Sequence, residues 1–495
     1  MMRREDHLKK AQETTVYDII IIGGGATGAG AALDAASRGL KVLLLEQQDF
    51  GKGTSSRSTK LIHGGLRYLQ QGNIKLVREA LRERGLLRKN APHLVSQRRF
   101  LIPLYHAYEL PFYGAGLKIY DFLSFSYSLE PTKYLSKKEV VQVAPEIQQN
   151  RLRGGLVYSD GQFDDARLLT TLILTTQDLG GNCLNYIKVT DLIIEHDKVH
   201  GVHAEDFFTK TKYLFRSKVV LNATGVFADD IRHKEDPQAH HMMVPSQGVH
   251  IVLPTSFLSK DTAVLIPKTA DGRVLFVVPW HQKVLVGTTD TLKKTIELEP
   301  HYLEEEIDFL LKESAKYLAR APKREDILSV YSGLRPLIRE KNKPTKAISR
   351  EHLIEIGKHG LVTIVGGKWT TFRKMGEDAI DACSRSIDAN WGESRTKNLK
   401  LHGYLNQFNP LNPLIQYGSD QDKIEFIIRE NPKLGEKIHK NLFYIKAEVV
   451  FAVRYEMAQK LEDVLARRTR SLFLDAKRIF SRSGECSRIA KNDFL

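Results

Sequence analysis

Residues 17–28, with the sequence YDIIIIGGGATG, decide the fold of this chain. An apolar run of strand length leads directly into a glycine turn. The small, alanine-rich segment from Ala29 to Arg38 then predicts a helix that Gly39 ends, and Lys41 to Leu45 predicts a second buried strand that runs into Glu46. A strand, a glycine turn, a helix, a strand and an acid in this order are typical of the first βαβ unit of a dinucleotide-binding fold.

Each glycine of the turn has a physical role. Gly23 permits the tight turn, Gly25 lets the backbone approach a pyrophosphate, and Gly28 lets the helix pack closely on the strand. The pyrophosphate is then expected at the helix N-terminus, and Glu46 stands where an acid can hold ribose hydroxyls. The alternative is a glycine-rich turn that binds no ligand.

The glycine turn does not by itself distinguish FAD from NAD. Residues 219–225, Val-Val-Leu-Asn-Ala-Thr-Gly, again form a strand that runs into a turn of small residues, and residues 361–367 repeat the design far downstream. Each alone is compatible with an ordinary strand end. Since a flavin dinucleotide is long and needs several such turns along its path, the three together favour FAD.

The composition is that of a soluble globular protein. Of 495 residues, 42% are hydrophobic and 27% are charged, which excludes a disordered or collagen-like chain and allows about three domains. The net charge of +15 indicates an anionic partner such as a phosphate, an acidic small molecule, a lipid surface or nucleic acid. The sequence contains no window of eighteen apolar residues, so we expect no membrane-spanning helix.

Neither a disulfide framework nor a zinc site is predicted. The cysteines at positions 183, 383 and 486 are too far apart for either, and they fit a reducing compartment. Residues 1–15 are charged and have no apolar core, so we expect a disordered lead-in and not a secretory signal.

We expect the chain to divide into three domains, with a linker before the last one. A composition break at 384–420, rich in Asn, Gly, Ser and Pro, predicts the linker. Beyond it, apolar residues at every fourth position from Ile445 to Leu465 predict one face of a long helix. The expected boundaries are a discontinuous FAD-binding domain at 15–75, 150–245 and 330–383, a substrate domain at 76–149 and 246–329, and a helical C-terminal cap domain at 421–495.

From about residue 17 to 480 the sequence resembles the FAD-dependent glycerol-3-phosphate dehydrogenases, in the glutathione-reductase/D-amino-acid-oxidase-like flavoprotein class. The motifs that carry the resemblance are IIGGGATGAG at 21–30, TSS at 54–56, KLIHGGLRY at 60–68, DDAR at 164–167, NATG at 222–225, GTTD at 287–290, YSGLRP at 331–336, GGKWTT at 366–371 and RRTR at 467–470. The resemblance implies an α/β fold with a Rossmann-like FAD-binding domain, a mixed-sheet substrate domain and an all-α cap.

The resemblance also implies a reaction and its partners. The expected reaction oxidises sn-glycerol 3-phosphate to dihydroxyacetone phosphate by hydride transfer from C2 to FAD, and passes the electrons to ubiquinone or menaquinone. The expected place is the anionic surface of an inner membrane, on the cytoplasmic side in a bacterium, with a homodimer as an additional partner and no nucleic acid.

Cations are expected at the substrate phosphate. The planar fork of arginine bonds two phosphate oxygens, so we assign Arg335 and Arg67 to the substrate and Lys368 to a nearby point charge. Arg335 precedes Pro336 and is expected at a fixed loop end. The predicted substrate-binding residues are Arg67, Tyr68, Thr289, Arg335, Lys368 and Thr370.

Loss of a hydride from C2 requires removal of the hydroxyl proton, and histidine is the natural base near neutral pH. His63 is the first choice and His250 the second; the predicted catalytic set adds Arg67, Arg335 and Lys368. The predicted cofactor-binding residues are Gly23, Gly25, Ala26, Thr27, Gly28, Glu46, Gln47, Thr54, Ser55, Ser56, Lys60, His63, Gly64, Gly65, Leu66, Val189, Ala223, Thr224, Gly225, Gly333, Gly366, Gly367, Lys368 and Thr370.

Two positions depart from the usual pattern of the family. Arg57 stands where a small residue is common and is expected to point to solvent. Residues 400–403 read Lys-Leu-His-Gly, where a Leu-Pro-Gly turn is common, so His402 replaces a proline.

The aromatic stretch 104–127 follows a basic stretch at 74–99, and together they predict contact with an anionic membrane surface. The alternative is that the aromatic residues fill the core of their own domain. For the function, the alternatives are a glycerophosphate oxidase that gives hydrogen peroxide, an FAD-dependent RNA-modifying or RNA-binding protein, and an inactive interaction protein at a membrane.

Overall fold

The computed structural model describes residues 3–70, 72–339 and 351–479. Its helices are α1 Arg4–Glu13, α2 Ala26–Ser37, α3 Leu66–Gln70, α4 Ile74–Asn90, α5 Glu109–Ser124, α6 Lys137–Val143, α7 Asp165–Asp178, α8 Ala228–Glu235, α9 Glu304–Ala315, α10 Phe372–Ser386, α11 Gln421–Glu430, α12 Lys446–Tyr455, α13 Ser471–Leu474 and α14 Ala476–Ile479. Its strands are β1 Tyr17–Ile22, β2 Val42–Leu45, β3 Leu61–Ile62, β4 Val95–Leu104, β5 Lys133–Ser136, β6 Gly154–Phe163, β7 Asn182–Leu184, β8 Ile187–Glu195, β9 Lys198–Asp206, β10 Lys212–Asn222, β11 Met243–Pro254, β12 Ala263–Ile266, β13 Leu275–Trp280, β14 Lys283–Gly287, β15 Thr291–Leu292, β16 Ser329–Ile338, β17 His352–Ile356 and β18 Val362–Gly366.

The first sheet contains the predicted βαβ unit. Its strand order is β17-β18-β10-β1-β2-β7, and β8 and β9 continue from the first half of β10. The strands β18, β10, β1, β2 and β7 are parallel, and they are buried apolar runs because helices cover the sheet. Helices α2 and α10 approach so closely that a Cβ on Gly30 would lie 2.7 Å from the carbonyl oxygen of Phe372.

The second sheet is mixed, with the order β15-β11-β14-β13-β12-β4-β6-β3, and β16 and β5 pair with β11 and β6. Strands β3, β6 and β16 belong to it, although their residues fall within the segments assigned to the FAD-binding domain. The domain boundaries stay a prediction. Arg335 lies inside β16, opposite Ser246 of β11, so the expectation of a loop end was wrong.

The N-terminal residues are ordered as helix α1, so the expectation of a disordered lead-in was wrong. Arg4 is buried, and its guanidinium lies 2.6 Å from the carboxylate of Asp206. The ring of His7 lies 2.8 Å from the side-chain oxygen of Asn182 on β7. Two polar anchors far away in the sequence hold this helix, and a local reading of composition does not reveal such anchors.

The predicted long helix of the C-terminal region is interrupted. Helix α12 ends at Tyr455, Met457 has a left-handed φ of 56°, and the chain resumes in a π-helical turn over Asp463–Arg468. The break places Glu456 within 2.6 Å of Arg167, so a buried ion pair overrides the four-residue apolar period. Residues 480–495 of the predicted cap lie outside the described residues.

This architecture confirms the predicted α/β class, with a dinucleotide-binding sheet, a second mixed sheet and a helical C-terminal region. The apolar core of that region, formed by residues such as Val449 and Leu474, packs against Val252 and Trp280 of the second sheet. Within the described ranges, none of the helices has the length and apolar character needed to cross a bilayer.

One contact of the segment predicted as a linker makes stability depend on pH. His402 lies between the carboxylates of Asp178 on α7 and Asp420, at 2.6 and 2.9 Å. Burial lowers the pKa of His402, but the hydrogen bonds to the two carboxylates outweigh it and raise that pKa to about 9. Because the folded pKa exceeds that of a free histidine, the stabilisation is complete below about pH 6.5 and is lost as the pH rises through about 9.

We therefore expect the His402→Gln variant to melt below the wild type at pH 6 and to approach it at pH 9.5. Differential scanning calorimetry of both proteins at matched pH values measures this difference. The comparison removes the effect of the groups that titrate alike in both proteins. A difference in melting temperature that stays constant from pH 6 to 9.5 contradicts the assignment.

Candidate active site

A cavity of about 960 Å³ lies where the two sheets meet. That volume is at the upper end of the range of about 300–1,000 Å³ for ligand pockets. Its walls include Gly23 and Ala26 from the first sheet and its helix, and Arg335 and His250 from the second sheet. The ends of β1 and β10 open onto it, as in other open α/β sheets, where ligands bind beyond the carboxyl ends of the strands.

The glycine turn has the predicted geometry. Gly23 has a φ of 109°, and a Cβ there would lie 2.6 Å from the carbonyl oxygen of Ala223. A Cβ on Gly28 would lie 1.9 Å from the oxygen of Gly23, so Gly28 serves the packing of helix on strand. Helix α2 begins at the cavity, which directs its N-terminal dipole toward a bound anion.

Glu46 marks the end of the cavity at β2. Its carboxylate accepts hydrogen bonds from the backbone N–H groups of Gly24 and Gln48, at 2.7 and 2.9 Å. Burial raises the pKa of this carboxyl, against the effect of those two bonds. The hydroxyl of Ser55 accepts a hydrogen bond from the backbone N–H of Ala26 at 2.9 Å. This bond joins the 54–56 turn to the start of helix α2.

Most of the predicted site residues line this one cavity. These are Gly23, Gly25, Ala26, Thr27, Glu46, Gln47, Thr54, Ser55, His63, Tyr68, Val189, Ala223, Thr224, Gly225, His250, Gly333, Arg335, Gly366, Gly367, Lys368 and Thr370. The predicted residues that do not line it are Gly28, Ser56, Lys60, Gly64, Gly65, Leu66 and Thr289. The side chain of Arg67, on α3, lies outside the described residues.

Two cations line the cavity, Arg335 on β16 of the second sheet and Lys368 just after β18 of the first sheet. Arg335 donates to the hydroxyl of Thr288 and to the carbonyl oxygen of Thr289, both at 3.0 Å. The ammonium of Lys368 lies 3.6 Å from the ring centre of Tyr68. These contacts fix two cations on the walls of the same cavity. Thr289 is itself buried and bonded to Glu306, so its hydroxyl belongs to the support of the wall from the second sheet.

Both predicted histidines lie on the cavity wall. His63 is half-buried, and the hydroxyl of Thr370 accepts a hydrogen bond from its backbone N–H at 3.2 Å. His250 is buried, and its Nε2 lies 3.0 Å from the hydroxyl of Thr59. Burial, with Lys60 and Arg335 nearby, holds the pKa of His250 well below its ordinary value, so this imidazole is neutral near pH 7.

Several cavity residues were not predicted. Thr59 lies between the TSS and KLIHGGLRY motifs and is far in sequence from its partner His250, so sequence spacing does not reveal their contact. Arg57 is only 9% exposed and donates to the carbonyl oxygen of Ser332 and to Glu299, so the expectation that it points to solvent was wrong. Glu299 also pairs with Lys52, another wall residue. The other unpredicted wall residues include Gly51, Ser58, Lys188, Thr190, Phe227, Asp230, His233, Lys234, Leu298 and Trp369.

Beneath the cavity lies a buried ion cluster, formed by Lys60, Asp165 and Arg470. The ammonium of Lys60 lies 2.7 and 2.8 Å from the two carboxylate oxygens of Asp165, and Arg470 donates to the same carboxylate at 3.1 Å. All three side chains are almost fully buried. Lys60, expected to bind the cofactor, therefore belongs to the support of the site.

Fold and cavity together define the class of an FAD-dependent oxidoreductase, with a glycine cradle, a helix N-terminus and an acid for a dinucleotide, and with two cations lining the same cavity. The family profile described as FAD dependent oxidoreductase matches residues 18–373. The profile of the C-terminal domain of alpha-glycerophosphate oxidase matches residues 411–494. FAD is the cofactor, and the predicted D-amino-acid-oxidase type of fold is confirmed.

Comparison with known proteins narrows the class. The chain is 40% identical to the probable mitochondrial glycerol-3-phosphate dehydrogenase of Caenorhabditis elegans and 39% identical to that of Homo sapiens. These alignments cover 95% and 96% of the chain and 70% of each relative. The chain belongs to the family of FAD-dependent glycerol-3-phosphate dehydrogenases.

Solved structures agree with this assignment. The structure of the glycerol-3-phosphate dehydrogenase from Bacillus halodurans complexed with FAD superposes with a TM-score of 0.80 and 28% identity, over 99% of this chain and 93% of that one. The L-alpha-glycerophosphate oxidase of Mycoplasma pneumoniae shares the fold with a TM-score of 0.60 and 19% identity, over 75% of this chain and 95% of that one.

Proposed function

We propose that this protein oxidises sn-glycerol 3-phosphate to dihydroxyacetone phosphate and passes the electrons to a membrane quinone. One observation carries the proposal: Arg335 and Lys368 line the same cavity as two histidines and the glycine cradle of an FAD-binding fold. The first two can bind a phosphate dianion, and the histidines can accept a hydroxyl proton. Family membership supports the same substrate.

Bound FAD supplies the two-electron acceptor for the hydride that leaves C2. Arg335 binds the substrate phosphate in this proposal, because its fork is already oriented by the Thr288 hydroxyl and the Thr289 carbonyl group. Arg67 and Lys368 add positive charge. His63 takes the proton of the C2 hydroxyl, and His250, which is neutral and buried, is the second candidate for this role.

Two observations bear on the electron acceptor. The C-terminal profile carries the name of an oxidase, which favours oxygen as the alternative acceptor with hydrogen peroxide as product. An exposed apolar surface favours a quinone. Phe112 and Phe122 on α5 and Phe125 just after it are 61%, 78% and 85% exposed, so one helical segment presents three large aromatic side chains to solvent.

Charge on the neighbouring helix supports a membrane contact for this surface. Helix α4 packs against α5 and carries five exposed cations, Lys75, Arg78, Arg82, Arg88 and Lys89. Each can add about 1 kcal/mol of attraction to an anionic bilayer. Not every residue of the predicted patch contributes: Arg84 is buried against Asp160, and Tyr120 is buried in the core. We therefore place the protein as a peripheral protein on an inner membrane.

The first prediction tests the substrate. Anaerobic glycerol 3-phosphate is expected to bleach the flavin band of the purified wild type, and Arg335→Lys is expected to retain FAD but to raise KM by about tenfold or more. A lysine cannot reproduce the two-pronged contact, and charge-assisted hydrogen bonds contribute about 1.5–3 kcal/mol each. Stopped-flow absorbance measures both. A wild-type KM in the variant contradicts the role of Arg335.

The second prediction tests the base. His63→Asn is expected to slow anaerobic flavin reduction at saturating substrate by about 100-fold or more, the usual contribution of a general base. His250→Asn serves as the comparison, with the FAD content of both variants as the control. If only the His250 variant loses this rate, the proton goes to His250.

The third prediction tests the membrane contact. Replacing Phe112, Phe122 and Phe125 with Ser is expected to abolish flotation with anionic liposomes, while activity with a soluble dye acceptor stays unchanged. Replacing the exposed Leu411 and Phe426 with Ser is the matched control, and it should float like the wild type. High salt should weaken the flotation of the wild type. Flotation of the triple variant rules out this surface.

A further inference from the structure

We propose that Thr59 is a positioning residue for the reaction: it orients the imidazole of His250, and Arg470 of the C-terminal helical region holds the loop that carries Thr59. The inference rests on the proposed function, because it assigns His250 a place beside the substrate. Four contacts carry it, and they lead from the cavity wall to the C-terminal region.

The first contact fixes the ring of His250. Its Nε2 lies 3.0 Å from the hydroxyl of Thr59, and both residues line the cavity. The ring of Tyr331 stacks on the imidazole, with centroids 4.9 Å apart and planes 15° from parallel. Rotation of the imidazole would therefore break a hydrogen bond and a stacking contact at once.

The same contact selects a tautomer. Nδ1 of His250 is buried and makes no hydrogen bond to the described residues. A buried N–H without an acceptor costs more than an unused lone pair, so the proton stands on Nε2 and is donated to the Thr59 hydroxyl. Nδ1 then keeps its lone pair, and the orientation of the ring is set by the contact of Nε2 with Thr59.

The second and third contacts hold the loop on both sides of Thr59. The carboxylate of Asp165 accepts hydrogen bonds from the backbone N–H and the hydroxyl of Ser58, at 3.0 and 2.7 Å. It also binds the ammonium of Lys60. The hydroxyl of Tyr331 donates to the carbonyl oxygen of Ser58 at 3.0 Å, so the ring that stacks on His250 also anchors the loop.

The fourth contact comes from the C-terminal region. Nη2 of Arg470 donates to the carbonyl oxygen of Ser56 at 2.8 Å and to the carboxylate of Asp165 at 3.1 Å. Nη1 donates to the carbonyl oxygen of Ala466 at 2.6 Å. Its side chain is 1% exposed and does not line the cavity. Arg470 therefore acts on the site indirectly, and its hydrogen bonds connect it to the loop that carries Thr59.

The experiment compares anaerobic flavin reduction by glycerol 3-phosphate in holoenzyme variants. Thr59→Val is expected to slow the saturated rate by about tenfold with little change in KM, because valine has nearly the shape of threonine but no hydroxyl. Thr59→Ser keeps a hydroxyl and should restore the rate. Arg470→Lys, which keeps the charge but not the fork, should slow it by about threefold. Arg429→Gln, in the exposed part of the same region, is the matched control and should match the wild type.

A double-mutant cycle separates positioning from general stability. In the Thr59→Val background, Arg470→Lys should cause a much smaller further loss of rate, since the hydrogen bond through which the loop orients His250 has been removed. Additive losses overturn the role of Arg470. If Arg470→Lys does not retain FAD, Ser58→Ala replaces it in the cycle, because it removes one bond between the same loop and Asp165.

A spectroscopic measurement tests the geometry without turnover. With ¹⁵N-labelled histidine, and with His250→Gln to assign the signal, His250 should show the Nε2–H tautomer in the wild type and in Thr59→Ser, and a changed pattern in Thr59→Val. An unchanged pattern and an unchanged rate in Thr59→Val overturn the proposal. If glycerol 3-phosphate does not reduce even the wild type, the proposed function fails, while the tautomer measurement still decides the contact between Thr59 and His250.

Discussion

The buried carboxylate of Asp165 is the constraint on which the rest of the site depends. An ionised carboxylate in the interior is costly unless cations and hydrogen bonds surround it, and removing one partner from such a pair costs about 3–5 kcal/mol. Asp165 lies at the start of α7, which packs against α2 beside the first sheet. Its two cations, however, come from the loop before β3 and from the C-terminal region. The carboxylate therefore forces three distant segments to meet at one point beneath the cavity.

Similar pairings extend this arrangement along the boundary between the helical region and the dinucleotide-binding sheet. Asp49 lies between Arg467 and Arg468, at 2.5–2.9 Å, and these guanidinium groups hold the pKa of Asp49 at about 2 although burial opposes them. Arg167 pairs with Glu456 at the interruption of the last predicted helix. The helical region is thus bound to the cofactor domain by matched buried charges as well as by apolar packing, and such charges specify a single arrangement because a shifted one leaves them unpaired.

The sequence allowed the local elements to be predicted, but not the contacts between distant ones. Residues 17–46 follow a strand-turn-helix-strand pattern that short-range periodicity reveals, and the resemblance to a family pointed to most of the residues that line the cavity. Helix α1 was missed because its anchors, Asp206 and Asn182, are far away in the chain. The break at Met457 was missed for the same reason, since an ion pair and not the apolar period decides it. The DDAR and RRTR motifs were recognised separately, and nothing in their spacing reveals that Asp165 and Arg470 touch.

The long-range contacts described above also determine when the site can be completed during synthesis of the chain. Asp49 and Arg467 are 418 residues apart along the chain, and Ser56 and Arg470 are 414 apart. A ribosome that synthesises this chain has released the glycine turn and the whole βαβ unit long before the three arginines of 467–470 appear. Until then Asp49 lacks both of its arginines and Asp165 has only Lys60 as a cation, so the buried clusters beneath the cavity are complete only after residue 470 has been synthesised. The long loops that these contacts close make this final step a slow one by topology.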